Sequence, residues 1–354
     1  MRTVAWDPDR NELKMIDQRS LPARFELLTY RSAAGVAEAI QTMVVRGAPA
    51  IGAAAAYGLA VEATHSPAAD LTSFRADLHR AADCLLASRP TAVNLAWALR
   101  RMAVVLEQPA DSVDDLRAAL LAEAHRIADE DVEINQRMAA HGAELIADGD
   151  TILHHCNTGA LATVDWGTAL GVIRTAHEQG KRIRVLVDET RPRLQGSRLT
   201  AWELSQYGIP YEIITDNAAG YFLRTGQVQK VFFGADRVAA NGDVANKIGT
   251  YMLALAASAN HVPVYAVVPT STIDLTLTDG AQIPIEERDP GEVLGLQYQG
   301  EPVAPEGAQA RNPAFDVTPN PLITAWVTEI GLIRPPFTAN LARAMSSFQT
   351  EANS

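Results

Sequence analysis

The sequence predicts an α/β protein: a parallel sheet domain, preceded by a smaller and mainly helical domain. Three observations predict it. Residues 1–147 are dominated by Ala-, Leu- and Glu-rich stretches at helical spacing. From residue 148 the period changes, and short β-branched runs recur. Helical stretches separate several of those runs, the pattern of a parallel sheet covered on both faces.

Each element follows from its residues. Segments 2–6 and 12–16, ended by Leu21–Pro22, predict a small hairpin or meander. Helices are predicted over 33–43, 50–63, 71–87, 92–106 and 113–146, the last as one long helix. Pro49 and Pro90 sit where helices can begin, since proline suits the first helical turn. Ala147–Asp148 marks the change of pattern, giving domains 1–147 and 148–354. Strands follow at 151–153, 183–187, 211–214, 228–233 and 262–268, with helices at 168–179, 199–207 and 247–260. The Pro/Gly-rich stretch 284–319 is expected to wrap the surface.

Composition excludes several classes. A chain of 354 residues with 47% hydrophobic residues can build a sizeable core, which argues against disorder. Two cysteines are too few for a disulfide scaffold. No apolar run approaches the roughly 18–20 residues of a membrane span. The start, MRTVAWDPDRN, has no apolar signal region, so a cytoplasmic protein is expected. Lys+Arg 30 against Asp+Glu 42 leaves a net charge of −12, which argues against a nucleic-acid surface. A small anionic substrate stays possible, because one phosphate needs only a few local donors.

In open parallel sheets, ligands bind beyond the carboxyl ends of the strands. Reading the residues after each strand collects His154-His155-Cys156-Asn157, Asp188 to Arg198, Thr215-Asp216-Asn217, Gly234-Ala235-Asp236-Arg237 with Asn246-Lys247, and Pro269 to Thr272. Cys156 is a candidate for proton transfer, as a thiolate favoured by a nearby cation or helix terminus, or else a buried inert thiol. Cys84 lies within a helical run and reads as inert. Asp236 follows a very apolar strand, so partial desolvation is expected to raise its pKa and suit a general acid. The alternative is a turn-capping Asp or one paired with Arg237.

Arg46-Gly47-Ala48 precedes Pro49 at a helix start, where backbone N–H groups favour anions. Arg89 precedes Pro90 at a second such start, and Lys247 is expected to open another helix. Gln195 and Asn246 can hydrogen-bond sugar hydroxyls. The dinucleotide G-x-G-x-x-G, the P-loop, the G-x-S-x-G elbow and zinc spacings are absent. Adjacent His154 and His155 point to opposite faces of a strand, a poor metal pair. Chemistry without cofactor or metal is the simplest reading.

Several segments together resemble the 5-methylthioribose-1-phosphate isomerase family. They are Arg46 to Gly52, Ser88 to Leu95, Cys156-Asn157-Thr158-Gly159, Glu189-Thr190-Arg191-Pro192 with Gln195-Gly196, and Gly234 to Arg237 with Asn241 to Asp243 and Asn246 to Tyr251. The resemblance runs from about Leu13 to Phe337. It implies a Rossmann-like catalytic domain without a dinucleotide, a homodimer, and an aldose–ketose isomerase acting in salvage of L-methionine from methylthioadenosine. The family's catalytic cysteine and aspartate match Cys156 and Asp236. Its substrate-binding positions match Arg46, Gly47, Ala48, Arg89, Gln195, Asn246 and Lys247. The wider superfamily includes regulatory subunits of a translation-initiation exchange factor, so a non-catalytic regulatory subunit is the competing class. Isomerases of 5-deoxyribose 1-phosphate or ribose 1,5-bisphosphate compete within the enzyme class.

Overall fold

The structure, a computed structural model, describes residues 1–90 and 92–352. Two compact units result: Met1–Gln136 with Thr158–Gly167, and Arg137–Asn157 with the chain from Thr168 onward. The division falls inside the long helix rather than at 147/148. Segment 158–167 counts with the first unit because Val164 lies in that unit's core and its carbonyl accepts the Thr3 N–H at 2.8 Å.

The first unit opens with an antiparallel meander of β1 (Val4–Asp7), β2 (Glu12–Ile16) and β3 (Leu27–Tyr30). Five helices follow: α1 (Ala33–Gln41), α2 (Ala48–His65), α3 (Leu71–Ser88), α4 (Val93–Leu106) and α5 (Val113–Ala143). Side-chain caps set some starts. Ser32 accepts from the Gly35 N–H and Asp70 from the Ser73 N–H, satisfying donors that the helix leaves unpaired. The Ala/Gly-rich α2 is buried on nearly all faces, which small side chains permit by letting neighbours approach closely. A Cβ at Gly58 would meet Val36 Cγ1 of α1 at 3.0 Å, and one at Gly52 would meet the Asn94 carbonyl of α4 at 3.0 Å.

The second unit is doubly wound. Its elements are β4 (Thr151–His154), α6 (Ala169–Glu178), β5 (Arg184–Asp188), α7 (Ala201–Tyr207), β6 (Tyr211–Ile214), α8 (Ala219–Arg224) and β7 (Lys230–Phe233). Then come β8 (Arg237–Ala239), β9 (Val244–Lys247), α9 (Thr250–Ala259), β10 (Val264–Val267), β11 (Ile273–Asp274) and α10 (Gly291–Leu294). The chain continues with β12 (Gln297–Tyr298), β13 (Glu301–Pro302), β14 (Phe315–Thr318), β15 (Ala325–Thr328), β16 (Gly331–Ile333) and α11 (Phe337–Ala352).

The main sheet has the order β16-β15-β10-β7-β4-β5-β6, parallel except for the edge strand β16. From β4 the chain steps outward through β5 and β6. It then returns to the other side of β4 and steps outward through β7, β10 and β15. The strand order therefore reverses between β4 and β7, which opens a crevice at their carboxyl ends. Leu153, Val231, Phe233, Ala266 and Trp326 are buried in its core.

A second sheet, β11-β8-β9-β14, is built from segments expected to be turns, helix start and surface wrap. Residues 244–247 are strand, so Lys247 ends β9 and α9 begins only at Thr250. Residues 315–318 pair with β9 instead of forming loose wrap, whereas the hairpin β12–β13 is exposed, with Tyr298 71% accessible.

Candidate active site

Cys156 and Asp236 follow the two strands that flank the reversal, β4 and β7. Cys156 is a free cysteine, 7% exposed, with backbone in the left-handed region at φ 67°. Hydroxyls hold both sides of it. Its N–H donates to Thr190 Oγ1 at 2.9 Å, and its carbonyl accepts from Thr200 Oγ1 at 2.7 Å. Asn157 donates to Thr200 Oγ1 at 3.2 Å and to Glu203 Oε1 at 2.8 Å, fixing the turn after the cysteine. Cys84, read as inert, is exposed on α3.

The two histidines before Cys156 occupy different environments. His154 is fully buried; burial, aided by the neighbouring His155, pushes its pKa down to about 3, so it is neutral. His155, equally buried, places Nδ1 2.8 Å from Asp188 Oδ2 and Nε2 3.0 Å from the Ile248 carbonyl. Nε2 must donate to that carbonyl, so Nδ1 and Asp188 share the remaining proton. Burial opposes a charged imidazole, but the Asp188 hydrogen bond and charge, with Asp216 behind them, outweigh it and raise the pKa of His155.

His155, Asp188 and Asp216 offer donor atoms within 4.8 Å of one another, the one such grouping among the described residues. Their capacity is largely committed already. Both His155 nitrogens are engaged, and the Asp216 oxygens accept the N–H groups of Thr190 and Arg191, each at 2.7 Å. One oxygen, Asp188 Oδ1, lacks a partner. The donors fit a hydrogen-bonded hub joining the ends of β4, β5 and β6 better than a metal centre, whose ligands need lone pairs aimed at one point.

Asp236 is exposed, so the desolvation expected from its apolar strand is not found. β7 ends at Phe233, three residues before the carboxylate, and the chain bends at Asp236, whose N–H donates to the Ala245 carbonyl at 2.9 Å. Arg237 reaches toward Asp274, 3.9 Å away. Asn246 and Lys247 are buried on β9. Asn246 Nδ2 donates to Thr250 Oγ1, and Lys247 Nζ donates to the Ala314 carbonyl while lying 4.6 Å from the Phe315 ring centre. Asn241-Gly242 lies in the turn that joins β8 to β9, and an Asn-Gly pair between two short apolar runs is the hairpin signal that could have located this strand.

Gln195 is buried, and its Oε1 has no hydrogen-bond partner. The next residue must be glycine, since a Cβ at Gly196 would lie 1.7 Å from the Asp188 carbonyl oxygen. Hydrogen bonds of side chains and backbone thus tie these five residues into one neighbourhood. Thr190 joins Cys156 to the loop carrying Gln195, His155 joins the Cys156 turn to Ile248 beside Lys247, and Ala245 joins Asp236 to β9.

The other candidates belong to the first unit. Arg46 is half-buried, its Nε donating to Gln18 Oε1 at 3.1 Å while Gln18 Nε2 donates to the Leu161 carbonyl at 2.6 Å. Gly47 caps α2 at φ 98°, and a Cβ there would lie 2.3 Å from the Ala162 carbonyl oxygen. Ala48 is the first helical residue and Pro49 follows, as expected. Arg89 is half-buried but does not precede a helix directly: it is the C-terminal cap of α3, and α4 starts at Val93. Thr91 in that motif lies outside the described residues.

The initiation factor 2 subunit family matches residues 44–335. The chain is 55% identical over 343 residues to the methylthioribose-1-phosphate isomerase of Albidiferax ferrireducens, covering 97% of this chain and 96% of that one. Its fold superposes on the crystal structure of 5-methylthioribose 1-phosphate isomerase from Pyrococcus horikoshii OT3 with TM-score 0.91, at 46% identity, covering 98% of this chain and 96% of that one. It also superposes on the translation initiation factor eIF-2B subunit delta from A. fulgidus with TM-score 0.89, at 44% identity, covering 98% and 99%. The chain belongs to the initiation factor 2 subunit family and, within it, groups with the methylthioribose-1-phosphate isomerases.

Proposed function

We propose that this chain converts 5-methylthio-D-ribose 1-phosphate to 5-methylthio-D-ribulose 1-phosphate, with Cys156 and Asp236 as its catalytic pair. One observation carries the assignment of the pair: the two residues follow the adjacent strands between which the sheet order reverses. Phosphate on the anomeric oxygen blocks the spontaneous ring opening of ordinary aldoses. The enzyme must open the ring and then move hydrogen from C2 to C1.

In this proposal Asp236 protonates the ring oxygen and later shuttles the proton on O2. The bound sugar supplies the desolvation that the exposed carboxylate lacks in the free chain. Cys156, as thiolate, takes the C2 proton and returns it to C1 through an enediol. A hydride shift from C2 to C1 is the competing route. Solvent deuterium separates the two, since an exchanging thiol places deuterium at C1 and a hydride shift does not.

Arg46, the α2 start at Gly47-Ala48, Arg89 and Lys247 are assigned to the phosphate, and Gln195 and Asn246 to sugar hydroxyls. The buried, unpartnered Gln195 Oε1 supports the last role, because such an acceptor is costly unless a ligand satisfies it. Among the described residues, no helix is long and apolar enough to cross a membrane. We further assign the chain to the cytoplasm, as a homodimer, in methionine salvage.

The test is ketose formation by purified protein, with 5-deoxyribose 1-phosphate and ribose 1,5-bisphosphate as competitors. Cys156→Ala and Asp236→Asn are each expected to lower kcat by about 10²–10⁴-fold with the fold intact. Near-normal turnover in either variant removes that residue from the pair. A regulatory subunit would make no ketose at all.

A further inference from the structure

The turn that carries Cys156 is held in an unusual conformation by groups that no sugar ligand need touch. Cys156 has φ 67° and Thr190 has φ 63°. Positive φ is uncommon for any residue with a Cβ and an outlier for a β-branched one. Such residues persist where their surroundings over-determine them, and they cluster at functional sites.

The surroundings here are specific. Thr190 is fully buried, and its hydroxyl accepts the Cys156 N–H at 2.9 Å while donating to the Asp188 carbonyl at 3.0 Å. Asp216, at the end of the next strand, fixes Thr190 from behind by accepting its N–H and that of Arg191. Gly196 leaves room for this packing, since a Cβ there would also lie 3.1 Å from Thr190 Oγ1. On the other side of Cys156, the fully buried Thr200 donates to its carbonyl at 2.7 Å and accepts from Asn157. Both peptide groups of Cys156 are therefore satisfied by threonine hydroxyls instead of by continued strand pairing.

We infer that Thr190 and Thr200 are positioning residues for the Cys156 thiol: their hydroxyls clamp the cysteine in the left-handed conformation and so set where its sulfur sits. This rests on the reading of Cys156 as the proton-transfer group. The chemical need is plain, because a base must hold its place relative to C2 and C1 to within a fraction of an ångström. A methyl group in place of either hydroxyl preserves the side chain's shape and removes the clamp.

The experiment uses full-length Thr190→Val, Thr200→Val, Thr190→Ser and Thr200→Ser in a Cys84→Ser background, so that Cys156 is the only thiol. Each valine variant is expected to lower kcat at least about tenfold. KM should stay within about threefold, and each serine variant should recover most of kcat. The pH profile of Cys156 alkylation by iodoacetamide should shift in the valine variants and return in the serine ones, a response that mere loosening of the fold would not give. Unchanged kcat and an unchanged alkylation profile in both valine variants overturn the inference. If Thr190→Val does not fold, Thr200→Val alone decides by the same two readouts. Full turnover in Cys156→Ala would instead defeat the catalytic reading of the cysteine, and the alkylation profile would then judge the clamp by itself.

Discussion

His155 Nδ1 lies 2.8 Å from Asp188 Oδ2, with both side chains 1% exposed, at the point where β4 and β5 release the chain into the site. A pair buried this deeply gains little net stability when intact, but losing one partner strands the other in a low-dielectric interior. Asp188→Leu should therefore destabilise the protein by about 3–5 kcal/mol. Asp188→Asn should cost much less, because its amide can donate to Nδ1 of a neutral imidazole whose Nε2 still donates to Ile248. Urea unfolding of the two variants checks this. Equal losses would show that the shared proton contributes nothing.

Arg89 ends α3 half-buried, and we assign it to the substrate phosphate. A phosphate clamp is made alike in ground and transition states, so it acts through uniform binding. Arg89→Ala should raise KM about tenfold or more and leave kcat within about threefold. Steady-state kinetics with methylthioribose 1-phosphate measures both, and an unchanged KM removes Arg89 from the site.

Much of this was legible in the sequence, for physical reasons that also mark where legibility stopped. Of the five strands read from β-branched runs, β4, β5, β7 and β10 are buried and nearly continuously apolar, β6 is a half-exposed edge, and the equally buried inner strand β15 was missed. The helices of the first unit were legible from their period and their Ala-, Leu- and Glu-rich composition. The second sheet was not, because β8 and β11 are only three and two residues long and because the β8–β11 and β9–β14 pairings join segments distant in sequence. That gap explains why Lys247 was expected at a helix start. Exposure was harder still. Asp236 looked desolvated because Phe232 and Phe233 precede it, yet the strand ends at Phe233 and Asp236 lies exposed at the bend before β8. The hydroxyl clamp on Cys156 needs φ values that residue types do not reveal, since neither Cys nor Thr favours them.

Gln195 separates function from stability unusually well. Its Oε1 is buried without a partner, so the free protein carries the desolvation cost of an unmet acceptor. Gln195→Met removes that acceptor at similar volume. The variant should melt no lower than wild type while its kcat/KM falls about tenfold, as a lost hydrogen bond to a sugar hydroxyl would require. A lower melting temperature with unchanged kcat/KM would make Gln195 a structural residue instead.

His154 gives the fold an acid-sensitive point with a definite sign. Its pKa is lowered to about 3 by burial, with His155 adding to it, against 6.5 when unfolded. A base whose folded pKa is depressed stays neutral in the native state while the unfolded chain takes up the proton. Its contribution is complete above pH 6.5 and is lost as pH falls toward about 3. Between pH 7 and 4.5 the loss from this one residue should be about 2.5 kcal/mol. Other groups work against it in part of that range. Burial raises the pKa of Asp188 to about 6, against the pull of His155, so that carboxyl favours the folded state as pH falls. A difference measurement removes this background. Urea unfolding of wild type and His154→Leu at pH 7 and pH 4.5 should show the wild type losing about 2.5 kcal/mol more than the variant between the two conditions. Equal losses would mean that His154 is already protonated in the native state, or that its burial carries no penalty. Either result would contradict the fully enclosed position of His154 at the end of β4.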